Sequence, residues 1–280
     1  MTALTRPSRP WRRSSPRGSV APSRTGEEGA LAQTGLALVG IYGTSARGAL
    51  GRRVGRSEYG AVVGPAGAGE LKPRLRGVLH EWAFYVTIPL GVVFGFAAAG
   101  ARAQVSAAVF AGAVVAMFGA SALYHRFTWS QRTRLWLRRL DHAGIFGLIA
   151  ATYTPFGLLV LHGAWQKTVL AVVWSGAALA ILTKLTWVAA PKWLSATVGV
   201  ALGWVGVLVF PQILHRAGAA TATLILTGGV CYTVGAVVYA RRRPDPLPQA
   251  FGYHELFHLL VIAAAACQYV AIAFFVLPRA

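Results

Sequence analysis

From Leu79 onward, apolar runs of about 20 residues recur with short polar breaks between them, and no other feature limits the fold as strongly. A helix rises about 1.5 Å per residue, so such a run crosses the roughly 30 Å of bilayer hydrocarbon. It also satisfies its own backbone N–H and C=O groups where no water can. Seven runs are read, at about 79–100, 103–125, 140–161, 167–187, 193–214, 220–240 and 251–277. The expected fold is an all-α membrane protein: a seven-transmembrane-helix bundle over residues 71–280, after a tail of residues 1–70. Gly and Ala inside the runs permit close helix approach. Pro89 and Pro155 should kink their helices locally. Trp82, Trp129, Trp165, Trp187 and Trp193 sit near helix ends, as interface anchors do.

Charge then orients the bundle. The chain carries 27 Lys+Arg against 8 Asp+Glu, a formal net charge of +19, yet only 12% of it is charged and 55% is hydrophobic. A nucleic-acid binder spreads its basic residues over a soluble surface; here they lie between long apolar runs, so no nucleic-acid partner is expected. That much hydrophobicity also excludes disorder beyond the tail. Cys231 and Cys267 lie inside apolar runs and make no disulfide scaffold. With the N-terminus placed inside, 23 of the basic residues fall on the cytoplasmic side and four, Arg102, Lys167, Arg216 and Arg279, on the other. The positive-inside rule therefore expects a multi-pass protein of the cell (inner or plasma) membrane, N-terminus cytoplasmic and C-terminus outside. Contact with anionic membrane lipid is a secondary expectation. The Arg-, Ser- and Pro-rich start is read as a disordered basic extension; a transit peptide or an over-long start would leave the same signature.

Ionisable residues at the edge of an apolar span call for an explanation. Three clusters supply most of them: S-A-L-Y-H (Ser121 to His125), L-D-H-A-G-I-F (with Asp141 and His142) and H-E-L-F-H (His254 to His258). The derived topology puts all three at the cytoplasmic ends of their helices. His162 and His215 fall in short outer loops and read as ordinary interface residues. His254 and His258, at i and i+4, share one helix face, as do Ser121 and His125. Two imidazoles so spaced make half of a tetrahedral zinc site, and a third from a neighbouring helix leaves one position for water. Asp141 and Ser121 suit, by type and depth, a proton acceptor and an orienting hydroxyl. The bland alternative is a set of hydrogen-bonded interface histidines. His142 projects about 100° from Asp141 and is left out of the ligand set. His80 and Glu81 read as a helix-start cap and acid, with a role behind the site as the other reading.

H-E-L-F-H also fits H-E-x-x-H, the zinc-protease signature with Glu as general base. Residues 259–280 hold no Asp, Glu or His to complete that site, and Glu255 points off the His face in a regular helix. An intramembrane metalloprotease therefore ranks lower.

The motifs S-A-L-Y-H-R-F, L-R-R-L-D-H-A-G-I-F-G-L-I-A-A-T-Y-T-P-F and F-G-Y-H-E-L-F-H-L-L-V, with P-R-L-R-G-V-L-H-E-W before the first helix, resemble the hemolysin III family. That family is the bacterial branch of the progestin and adipoQ receptor proteins, which include the adiponectin receptors. The resemblance covers about residues 70–278. It implies seven membrane helices and a zinc ion held by His125, His254 and His258. It also implies that Asp141 holds the metal's water and that Ser121 lies near the metal, able to stabilise an intermediate. The wider superfamily is viewed as metal-dependent amide hydrolases. The leading expectation is hydrolysis of a lipid-like, ceramide-type amide, with catalytic Asp141 and Ser121. The alternatives are a receptor-like or membrane-homeostasis factor with structural zinc, and a cytolytic protein. Glu255, His142 and His80 receive no assigned role, and the oligomeric state stays open.

Overall fold

The computed structural model describes residues 73–279, and the basic tail expected for residues 1–70 lies outside them. The described chain is helical throughout, without a β-strand. Helix α1 spans Val78–Ala97, α2 Ala101–Arg126 and α3 Gln131–Pro155, the last continued by a π-turn over Phe156–Val160. Next come α4 (Ala164–Thr186) and α5 (Lys192–Trp204), which runs through a 3₁₀ stretch, Val205–Val209, into α6 (Phe210–Ala217). Helices α7 (Ala219–Arg241) and α8 (Tyr253–Ala271, prolonged to Arg279) complete the chain. With α5 and α6 counted as one crossing, seven helices are long and apolar enough to span a membrane.

The third crossing begins nearly ten residues before the expected boundary. Arg132, Arg134, Arg138 and Arg139 lie in its first turns, not in a loop. Hydropathy stops at charges, but a helix does not. Ser130 accepts a hydrogen bond from Thr133 N at 3.3 Å, capping the free N–H groups of the first turn. Arg132 and Arg134 are exposed, whereas Arg138 is buried. Asp141 consequently sits about three turns inside α3 and not at its start. Of the two prolines, Pro155 ends the regular α-helical hydrogen bonding of α3 and the wider π-turn follows it, whereas Pro89 lies inside a continuous α1.

Large apolar side chains point outward: Trp82, Val93, Phe96, Leu179 and Phe274 are all exposed. In a soluble protein such a coat would be a liability; around a membrane bundle it faces lipid. Inside, close approach depends on small residues. A methyl group at Gly119 would meet the Phe84 ring at 2.9 Å, and one at Gly176 would meet Leu202 at 2.5 Å. Dispersion packing of this kind holds membrane helices together, because burial from lipid brings little hydrophobic gain.

Alternating crossings put the starts of α1, α3, α5 and α8 and the ends of α2, α4 and α7 at one end of the bundle. A strap runs across that end. Arg74 N donates to Gln249 O at 3.1 Å and Leu75 N to Ala250 O at 3.2 Å, tying the segment before α1 to the loop before α8. Gly77 then turns the chain into α1 with φ +81°, and a Cβ there would stand 2.6 Å from the Cβ of His125. Only glycine meets both conditions.

Candidate metal centre

His125 is in the last turn of α2, while His254 and His258 are on consecutive turns of α8. All three are buried, and one ligand nitrogen from each lies within 4.8 Å of the others. They could hold a metal ion. His125 Nε2 and His254 Nε2 are 3.2 Å apart. Two imidazole nitrogens on a tetrahedral zinc, with bonds of about 2.0–2.1 Å, stand roughly 3.3–3.4 Å apart, so this pair already has ligand spacing, and the third nitrogen lies within the 4.8 Å of the set. The donor set fits as well: borderline-soft nitrogen ligands suit zinc and related transition metals, not calcium or magnesium. Nδ1 of His258 is buried and has no hydrogen-bond partner among the described residues. Buried imidazole nitrogens ordinarily have one, so this capacity is open to a ligand.

Asp141 comes from α3, with its Oδ2 3.6 Å from His125 Nε2. Ser121, one turn before His125 on α2, is almost fully buried, and its Oγ is 2.8 Å from His80 Nδ1. Asp141 also faces Ser121 and His142. The five residues singled out in the sequence therefore share one neighbourhood. His142, half-buried one position on, lines the same cavity without joining the triad.

Sequence reasoning underrated His80. It is not a helix cap: Gly77 holds the position before α1, and the His80 ring is 2% exposed. The ring stacks on His258 with centroids 3.7 Å apart and planes within 11°, and its edge meets Phe118. It thus fixes the plane of one member of the triad while bonding Ser121. A signal existed in the spacing: His80 and Phe84 are one turn apart on the face of α1 that packs inward. Glu81 does behave as a first-turn acid and pairs with Arg126 at 2.6 Å.

Glu255 takes a structural place. One carboxylate oxygen contacts Arg76 Nε at 2.5 Å, and the other accepts from Gly252 N at 2.9 Å. That reach-back bond satisfies a free N–H at the start of α8. Both oxygens are engaged away from the triad, so the protease-like string lacks its general base here.

Behind the centre lies a cavity of about 190 Å³. It extends from Asp141 and His258 along α3 to Phe156 and Leu161 near the far end, with Ile213 on α6 across from them. Its wall is mostly apolar. A metal centre at one end of such a cavity can meet the polar part of a molecule whose remainder avoids water.

The chain is similar to proteins already described. The chain is 33% identical to Hemolysin-3 of Bacillus cereus over 141 residues, which is 50% of this chain and 62% of that protein. It is 30% identical to the Hemolysin-3 homolog of Bacillus subtilis (strain 168) over 171 residues, 61% of this chain and 77% of the relative. A plant protein, heptahelical transmembrane protein ADIPOR2 of Oryza sativa subsp. japonica, is 28% identical over 158 residues, 51% of this chain and 69% of its own length. The family described as Haemolysin-III related matches residues 69–269, a stretch containing every residue of the candidate centre. With its seven apolar crossings, this chain is a multi-pass membrane protein and belongs to the haemolysin III family.

Proposed function

We propose that the protein is a zinc-dependent hydrolase of a lipid-like amide. The observation that carries this reading is the buried triad of His125, His254 and His258, with Asp141 Oδ2 3.6 Å from one ligand, opening onto an apolar cavity. When bound, zinc supplies a Lewis acid and acidifies a water to a pKa of about 7. The chain's own residues do the rest. Asp141 Oδ2 is placed to accept a proton from the attacking water and return it to the leaving amine. The Ser121 hydroxyl, oriented by His80 Nδ1 at 2.8 Å, is placed to donate to an oxygen on which charge develops. His80, stacked on His258, keeps that ring from turning. The apolar cavity receives the acyl portion and excludes bulk water from it. In this reading the centre lies on the cytoplasmic side of the cell membrane, as the excess of Lys and Arg at that end supports.

The test uses purified full-length protein in detergent, with elemental analysis and a screen of long-chain N-acyl amides. The expected result is about one zinc per chain and release of a fatty acid from at least one amide. Zinc without turnover across the screen would leave a structural metal site and sink the enzyme reading. Absence of metal from freshly purified protein would remove its basis altogether.

A further inference from the structure

Lys184 is the one lysine or arginine in the described chain that is nearly buried and has no counter-charge, hydrogen bond or ring contact among the described residues. It is 4% exposed, two residues before the end of α4. A lysine at a membrane helix end ordinarily runs its stem outward to the interface. This one does not. Val169, Val173, Ala177, Ala180 and Lys184 are the buried positions of α4, at spacings of four, four, three and four, so Lys184 continues the face packed into the bundle. The same side chain lines the cavity behind the metal centre.

Nothing nearby neutralises it. The four carboxylates of the described residues are engaged elsewhere: Glu81 with Arg126, Glu255 with Arg76, Asp245 with Tyr253 N at 2.8 Å, and Asp141 with His125. The closest charge acting on Lys184 is that of Arg138, also buried and of the same sign. The hydroxyl of Ser195, at the start of α5 on the cavity wall, is buried and without a partner too. An uncompensated cation in a membrane bundle marks a site whose partner comes with the ligand.

We propose that Lys184, with Ser195 on the wall of the same cavity, binds the anionic head of a single-chain amphiphile whose hydrocarbon occupies the cavity. The shared chemistry is a compact oxyanion on an acyl or alkyl chain, either a carboxylate or a phosphate monoester. This subsite is separate from the histidine triad and does not depend on hydrolysis. It would give acidic amphiphiles an advantage over neutral ones of equal length without excluding the latter.

The test is direct binding to the full chain in detergent, with palmitate, hexadecyl phosphate and hexadecanol as probes of matched chain length. Each is measured before and after the metal is removed with a chelator. The expected result is at least tenfold tighter binding of one anionic probe than of hexadecanol, persisting in the metal-free protein. Preference for palmitate assigns a carboxylate head, and preference for hexadecyl phosphate assigns a phosphate. Lys184→Met should lose the preference while keeping hexadecanol binding and metal content, and Lys184→Arg should restore it. Equal binding of all three probes by the wild type overturns the proposal, as does a preference that vanishes with the metal or survives in Lys184→Met. If Lys184→Met does not fold, the metal-free wild type and Lys184→Gln decide by the same comparison. Failure of amide turnover leaves this inference untouched, because no readout here depends on turnover.

Discussion

Both ends of the bundle carry histidine and arginine, yet only one end gathers its histidines. At the metal end, Arg76 and Arg126 are each held by a carboxylate, Glu255 and Glu81. With those cations occupied, His125, His254 and His258 converge, and His80 stacks behind them. At the opposite end, Arg216 Nη1 donates to His162 Nδ1 at 2.9 Å, and Arg279 bonds the carbonyl of Ala217. His162 and His215 are exposed there. All four carboxylates of the described residues lie at the metal end. Histidine content therefore does not make a centre. Acids that engage the neighbouring arginines, and burial that brings imidazoles together, do.

The comparison is broken most sharply by metal content. His254→Ala should reduce bound zinc from about one per chain to almost none, whereas His215→Ala at the far end should leave it unchanged, by elemental analysis. Equal loss in both variants would mean that the two ends are not distinct. Next in size is Asp141→Asn, which should lower amide turnover by about 10²–10⁴-fold with zinc retained. Zinc lost together with turnover would make Asp141 a ligand and not a base.

Smaller effects sharpen the contrast. Arg76→Ala strands the fully buried Glu255 carboxylate and should destabilise the fold by about 3–5 kcal/mol in detergent unfolding. Arg126→Ala leaves only a partly exposed Glu81 and should remove about 1 kcal/mol or less. Similar values for the two would deny that burial sets the difference. Gly77→Ala should weaken zinc affinity about tenfold, because the new methyl must displace His125. Gly100, at the other end, also has a positive φ (+83°) but an extended ψ (158°), with open space around it, so Gly100→Ala should strain the turn and leave zinc affinity alone.

Much of this was legible in the sequence. Run length and composition are enough to define seven crossings, because a bilayer permits few alternatives to a helix. The i, i+4 pairs and their common depth were enough to bring Ser121, His125, Asp141, His254 and His258 into one neighbourhood. What escaped has identifiable physical causes. The start of α3 was hidden because arginines can extend along a helix that hydropathy assigns to a loop. His80 and Glu255 were ambiguous because their roles depend on partners 41 and 179 positions away, beyond any local pattern. A charge count treats Lys184 only as one of the 23 orienting cations, although its place on the stripe from Val169 to Ala180 marks it as inward-facing.

The distribution of the three histidines along the chain has a further consequence. One comes from the second crossing and two from the last, and 129 positions separate His125 from His254. Everything from α3 to α7 lies between them. An ion at this centre would act as a clasp, closing the 129 positions between them into one ring and raising the entropic obstacle to peeling α8 from α2. The metal would then have a mechanical role as well as a chemical one: the same three bonds that poise a reaction would hold the two sides of the barrel of helices shut.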